Sequence, residues 1–275
     1  DKNPVAGEYS GNRLHIYNSV GEHLKTFDSG LRTSYYAQRN STDGFNPEVQ
    51  FTDLNNDGVN EVFWSLAAED RSGKNSRIKA WSVSGDSLIW ELPLQFDVNF
   101  PRKNSIVQNS YELNEIQIAT LADGRQVLVA SADLGQMFPQ ILISVDVKTG
   151  KVIQKYVHPG HFFDIALVDI NSDGVEELIA GGVNNAYWKA AITVLDITNI
   201  QGHSPTKEDY IIDNYNPASE LEYILVPKTI LGKSYTMSKY NRVSRIQESS
   251  SEQSFGFEII DANIPNINPY ILVFF

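Results

Sequence analysis

The sequence predicts an all-β chain folded as a β-propeller of four-stranded blades, and three observations carry that expectation. First, "DLNNDGVNEV" (53–62) and "DINSDGVEEL" (169–178) are two copies of one acidic turn, each set between apolar strands. Second, the copies start 116 residues apart, and a decayed unit, "IQIATLADGRQVLVASAD" (116–133), lies between them, so the repeat is about 58 residues long. Third, each unit has a second half that reads as a hairpin, and no segment sustains a helical period.

The elements follow in order. The N-terminal "RLHIYNSVGEHLKTFD" (13–28) reads as a hairpin resembling the second half of a blade, with no first half before it. The first unit, about 46–96, pairs the acidic turn with "SRIKAWSVSGDSLIWELPL" (76–94). The second, about 112–157, ends in "PQILISVDVKTGKVIQKYV" (139–157), again two apolar strands around a polar glycine turn. The third, about 162–228, runs through "AAITVLDI" (190–197), a polar insertion at about 198–219 and "LEYILVPK" (221–228). "NRVSRIQ" (241–247), "FGFEIID" (255–261) and "YILVFF" (270–275) supply the remaining strands. Joining both ends in one blade would close the ring and remove its sheet edges. The whole chain, 1–275, is then one domain. Repeat arithmetic favours five blades, with six or seven fitting if the chain is a fragment.

Composition narrows the function classes. A formal net charge of −12 leaves no electrostatic footprint for a phosphate-backbone binder, so nucleic acid is not an expected partner. There is no cysteine, so neither disulfides nor thiol chemistry enter. No apolar run is long enough for a membrane helix, and none of this segment is expected to insert into a bilayer. The sequence begins at Asp1 and reads as an excised domain or mature fragment.

The acidic turns carry the chemistry. In the first, Asp53, Asn55, Asp57 and Glu61 stand at positions 1, 3, 5 and 9; in the second, Asp169, Asn171, Asp173 and Glu177 do. Calcium takes six to eight oxygens at roughly 2.3–2.6 Å, and a tight loop with oxygens at alternate positions wraps such an ion. The carbonyls of Val59 and Val175 can add a ligand at position 7, and Gly58 and Gly174 allow the backbone turn at position 6. The helical EF-hand does not fit: its glutamate belongs at position 12, where this chain has Trp64 and Ala180. The other reading is a polar turn with no ion, since Asp, Asn and Gly favour turns anyway. The duplication with the same ninth-position Glu tips the balance to two calcium sites.

The motif D-x-N-x-D-G-x-x-E, twice between apolar strands, resembles the FG-GAP (VCBS-like) repeats of integrin-type β-propellers. The resemblance implies calcium held structurally in the loop between the first two strands of a blade. In the middle unit the matching positions are Ala119, Leu121 and Val127, so no ion is expected there. "AGG" (180–182) is the nearest remnant of the family's dipeptides, and "DANIPNINP" (261–269) reads as another decayed loop.

Two further stretches stand out. "HPGH" (158–161) has two histidines at a zinc-like spacing but no partner ligands, and reads as a link between blades. "GGVNNAYWK" (181–189) is a polar-aromatic loop in which Asn184, Asn185, Tyr187 and Trp188 are candidate ligand contacts, with Trp188 and Tyr187 suited to stacking on a sugar. No nucleophile motif is present, and no catalytic residue or enzymatic activity is expected. The sequence thus predicts a calcium-stabilised binding or sensing module of a larger protein, located outside the cytoplasm in the periplasm, in secretion or at the cell surface. Its partner would be a protein or a carbohydrate. The alternatives are a carbohydrate-active enzyme or lectin on the same ring, and a purely structural spacer.

Overall fold

Among the described residues five sheets follow one another along the chain, antiparallel but for one short edge strand. The computed structural model describes residues 3–10, 13–28, 49–66, 76–100, 110–134, 138–212, 220–234, 240–249, 254–261 and 270–274. The first sheet holds β1 (Pro4–Ser10), β2 (Arg13–Asn18) and β3 (His23–Asp28). The second holds β4 (Val49–Thr52), β5 (Glu61–Leu66), β6 (Arg77–Ser82) and β7 (Ser87–Pro93). The third is built from β8 (Glu112–Thr120), β9 (Gln126–Asp133), β10 (Gln140–Asp146) and β11 (Val152–His158). The fourth contains β12 (Gly160–Val168), β13 (Glu177–Asn184), β14 (Lys189–Asp196) and β16 (Glu220–Val226). The short strand β15 (Gly202–His203), from the polar insertion, crosses back to lie parallel to β11 on the edge of the third sheet. The last sheet holds β17 (Arg242–Ser249), β18 (Ser254–Ile260) and β19 (Tyr270–Phe274). Helix among the described residues is limited to one turn at Ile230–Ser234 and a 3-10 turn at Glu208–Tyr210. None of it is long and apolar enough to cross a membrane.

The alternating strands behave as their sequences require. In β2, Leu14 and Ile16 are buried while Arg13 faces solvent. The second and third sheets bury Phe63, Ile78, Trp90, Ile116, Leu128 and Ile141 between them. The Trp90 indole donates to the Val147 carbonyl at 2.7 Å and covers the β10–β11 turn. Gly150 in that turn has φ +69, and any Cβ there would overlap the indole.

First strands of successive sheets lie side by side: β4 against β8, β8 against β12, β12 against β17. Such neighbours are edge strands with unpaired backbone groups, which need partners when buried. A short repeat supplies them. "EIQ" (115–117), "DIA" (164–166) and "RIQ" (245–247) occupy equivalent places in β8, β12 and β17, and Gln50 follows Val49 in β4 at the same position. Gln50 Nε2 donates to the Ile116 carbonyl at 3.0 Å, and Gln117 Nε2 to the Ile165 carbonyl at 2.9 Å. Ile165 N donates to Glu115 Oε2 at 3.3 Å, and Ile246 N to Asp164 Oδ2 at 2.6 Å. Each first strand therefore caps the backbone of the next. A β-bulge precedes this repeat in β8, β12 and β17, at Asn114, Phe163 and Ser244.

Two expectations are corrected. A strand does precede the N-terminal hairpin: β1 pairs with β2 and rests on β4, with Gly7 against Val49 and Leu14. Its sequence, "PVAGEYS", leaves Val5 exposed and lacks the apolar alternation that marks the other strands. The two ends do not share a sheet. Among the described residues β1 pairs only with β2 and β19 only with β18, so ring closure through one joint blade is not formed. Most of the decayed loop at 261–269 lies outside the described residues.

Candidate functional site

The two acidic turns occupy the same place in their sheets, β4 to β5 and β12 to β13, and adopt one conformation. Asn56 and Ser172 take φ +60 and +59, and Gly58 and Gly174 take +83 and +85. Asp53 accepts from Asp57 N at 3.2 Å and Gly58 N at 2.9 Å; Asp169 accepts from Asp173 N at 3.1 Å and Gly174 N at 2.8 Å. Asn55 Oδ1 and Asn171 Oδ1 accept from Asp57 N and Asp173 N, both at 2.8 Å. Asp57 and Asp173 accept from Val59 N and Val175 N, again at 2.8 Å. The ninth-position glutamates reach back to the turn's second residue: Leu54 N donates to Glu61 at 2.8 Å and Ile170 N to Glu177 at 2.9 Å.

No Lys, Arg or His among the described residues pairs with these six carboxylates. Glu61 and Glu177 are both buried. Burial pushes the Glu61 carboxyl above its usual range, and the charges of Asp57 and Asp53 push the same way. The Val59 N–H holds Asp57 below its usual range. What stands among the carboxylates is an amide: Asn55 Nδ2 donates to Glu61 Oε1 at 3.3 Å and Asp57 Oδ2 at 3.1 Å, and Asn171 Nδ2 to Glu177 Oε1 at 3.2 Å. Among the described residues no three His, Cys, Asp or Glu side chains converge as ligands of one ion. By donor type the set fits a hard cation, being all carboxylate, amide and carbonyl oxygen. The first turn is also a structural junction: Asn60 donates to Asn3 Oδ1 and the Pro4 carbonyl, and Ser84 to Asp57.

The middle turn is different. It has five residues, 121–125, between β8 and β9, and Ala119 and Val127 are buried strand residues. Its one carboxylate, Asp123, is paired with Arg125 Nε at 2.6 Å and with Arg125 N at 3.0 Å.

The histidines of "HPGH" are spoken for. His158 is fully buried against Phe162, with Nδ1 on Ser204 Oγ at 2.9 Å and Nε2 on the Val183 carbonyl at 2.8 Å. Burial lowers its pKa to about 3, so the ring is neutral and Nε2 carries the proton. His161 Nδ1 stands 3.8 Å from Asp133.

In the polar-aromatic loop, Asn184 is fully buried. Its amide donates to the Pro205 carbonyl at 2.8 Å and Tyr223 Oη at 2.7 Å, and its oxygen accepts from Ala186 N. Asn185 N donates to the Pro159 carbonyl. The Tyr187 hydroxyl faces the Thr206 carbonyl and its ring lies under Lys207. Trp188 is 45% exposed, holds φ +56, and tilts against Tyr240 with ring centroids 6.4 Å apart. Of the four, Trp188 is exposed, Asn185 and Tyr187 are half-buried and Asn184 is buried. Sequence reasoning missed Tyr240, Phe163 and Arg242, which lie beside this loop only through the packing of β12 against β17.

No family model matches the chain, and no curated protein matches it. Solved structures do. The C-terminal domain of PilY1 from Pseudomonas aeruginosa is 14% identical, with a TM-score of 0.44 over 93% of this chain and 52% of that one. The Dos1 propeller is 12% identical, with a TM-score of 0.41 over 96% of this chain and 65% of that one. The rhamnogalacturonan lyase YesW is 12% identical, with a TM-score of 0.44 over 95% of this chain and 50% of that one. The chain thus spans about half the length of the PilY1 domain and of YesW. These are likenesses of fold alone. They correct one expectation: lyases and a GH43 β-1,3-galactosidase stand among them, so the absence of a recognised catalytic motif does not exclude an enzyme.

Proposed function

We propose that the chain is a calcium-stabilised, propeller-type binding module of the FG-GAP (VCBS-like) kind, its sheets the blades of a five-bladed ring. The observation that carries the reading is the pair of acidic turns, which share the same backbone hydrogen bonds, each holding three carboxylates that no cationic side chain among the described residues pairs with. Calcium would be held by Asp53, Asn55, Asp57, Glu61 and the Val59 carbonyl, and by Asp169, Asn171, Asp173, Glu177 and the Val175 carbonyl. Binding requires Asn55 and Asn171 to turn the amide nitrogen out of the carboxylate cluster and present oxygen. The ion then supplies charge compensation and ties the first two strands of its sheet together. At the first turn it also steadies Asn60, which holds the start of β1. Ligand contacts come from the opposite end of the sheets, where the β13–β14 turn exposes Trp188. A filled calcium site outside the cytosol, where calcium is abundant, suits an extracytoplasmic protein.

Native mass spectrometry of chelator-stripped protein tests this. Two bound calcium ions are expected, with weaker uptake of magnesium, which demands strict octahedral geometry. No bound calcium at millimolar concentration overturns the reading.

A further inference from the structure

Outside the acidic turns, the surface feature that best repays scrutiny is a strip of side chains crossing from the fourth sheet to the fifth. Trp188, at the β13–β14 turn, tilts at 30° against Tyr240. Asn241 is fully buried and pins the chain, accepting from Ala190 N at 2.9 Å and donating to the Val226 carbonyl at 3.0 Å. With Asn241 turned inward, extended backbone sends Tyr240 and Arg242 to the other side, about 7 Å apart. Arg242 lies on the ring of Phe163, 4.8 Å from its centroid, and Phe163 is followed by His161 at 6.1 Å. Phe163 is the bulge residue of β12 and is 41% exposed, which is how a residue flanked by the buried Phe162 and the acid Asp164 reaches the surface.

Two properties of the strip point to its ligand. Trp188, 45% exposed, offers a flat apolar face. Its cation is unmatched: among the described residues no carboxylate pairs with Arg242, and none pairs with Lys189 next to Trp188. The guanidinium lies over Phe163 and has the planar donor fork that suits a carboxylate. The edge of β17 is already covered by β12, so an extended peptide cannot add there as a strand.

We infer that this strip binds an acidic saccharide: a sugar ring lies on Trp188, and a uronate carboxylate meets Arg242, which Phe163 supports from beneath. The inference rests on the reading of the chain as a binding module, but not on its calcium. A ligand held only by charge would not need the rings, and one held only by the rings would not need Arg242.

The test is calorimetry with a short oligogalacturonate, beside a neutral galacto-oligosaccharide and polyglutamate, on calcium-loaded and on chelated protein. The acidic sugar is expected to bind, and the other two at least tenfold more weakly. Arg242→Ala and Trp188→Asn should each reduce affinity roughly tenfold. Asparagine tolerates the left-handed backbone at 188, so that variant should keep its melting temperature. Arg242→Lys, which keeps the charge and loses the fork, should fall between wild type and Arg242→Ala. Failure of the folded protein to bind the oligogalacturonate overturns the inference. So does equal binding of polyglutamate, which would mark a protein-binding face, or equal binding by Arg242→Ala. Loss of calcium uptake with saccharide binding intact would sink the calcium reading alone.

Discussion

The turns at 53–61 and 169–177 and the turn at 121–125 join the same two strands of successive sheets, yet they solve the problem of charge in opposite ways. The middle turn keeps one carboxylate and neutralises it within the turn through Arg125. The outer two keep three carboxylates each and bury the last of them, and no cationic side chain among the described residues pairs with them. Burying an unpaired charge is among the most unfavourable things a fold can do. The comparison teaches that connecting two strands needs only the short turn, so the extra carboxylates of the long ones are not needed for the connection, and the proposed cation gives them a role.

The largest way to break the comparison is to add the ion. Calcium at a hundredfold over its Kd should stabilise by about 2.7 kcal/mol per site, and so about 5 kcal/mol for both, read from urea unfolding. A stabilisation that survives Asp53→Asn with Asp169→Asn would mean the ions sit elsewhere. Next in size is the ninth-position glutamate. Glu61→Ala strands the Leu54 N–H and should destabilise the calcium-free protein by about 1–3 kcal/mol, whereas Asp123→Ala in the middle turn should change it by less than about 1 kcal/mol. Equal effects would dissolve the distinction.

A third prediction concerns the two buried acids of the first-strand contacts, Glu115 and Asp164. Burial, then the charge of Asp164, raises Glu115 to about 8; burial raises Asp164 to about 6, against the pull of the Ile246 N–H. Both folded-state values lie above the unfolded ones. Their contribution to stability is therefore full below about pH 4 and is lost as pH rises through 6 and 8. Calcium-free protein should unfold more readily at pH 9 than at pH 5, and Glu115→Gln should flatten that dependence. The smallest expected difference sharpens the comparison from the other side. Gly58, Gly124 and Gly174 all sit at φ near +80, so alanine at each should cost about 1 kcal/mol, alike in both kinds of turn.

The all-β class and both acidic turns were legible because their signals are local: alternation, Asp-Gly spacing, a glutamate where the next strand begins. What escaped was long-range. The cap repeated at 115–117, 164–166 and 245–247, centred on an isoleucine, is visible as a repeat only once Gln117 is seen to meet Ile165 and Asp164 to meet Ile246. β1 escaped because Gly7 and an exposed Val5 break its pattern, and β15 because two residues carry no period. At the candidate ligand loop, sequence pointed to Trp188, but not to Asn184 serving as an internal brace or to Arg242 arriving from another sheet.

The most direct test of the central claim is the melting temperature of chelator-stripped protein followed through a calcium titration, with Asp57→Asn/Asp173→Asn as the paired control. A rise that saturates is expected for the wild type and a flat line for the double variant. A flat line for both would show the acidic turns to be turns only.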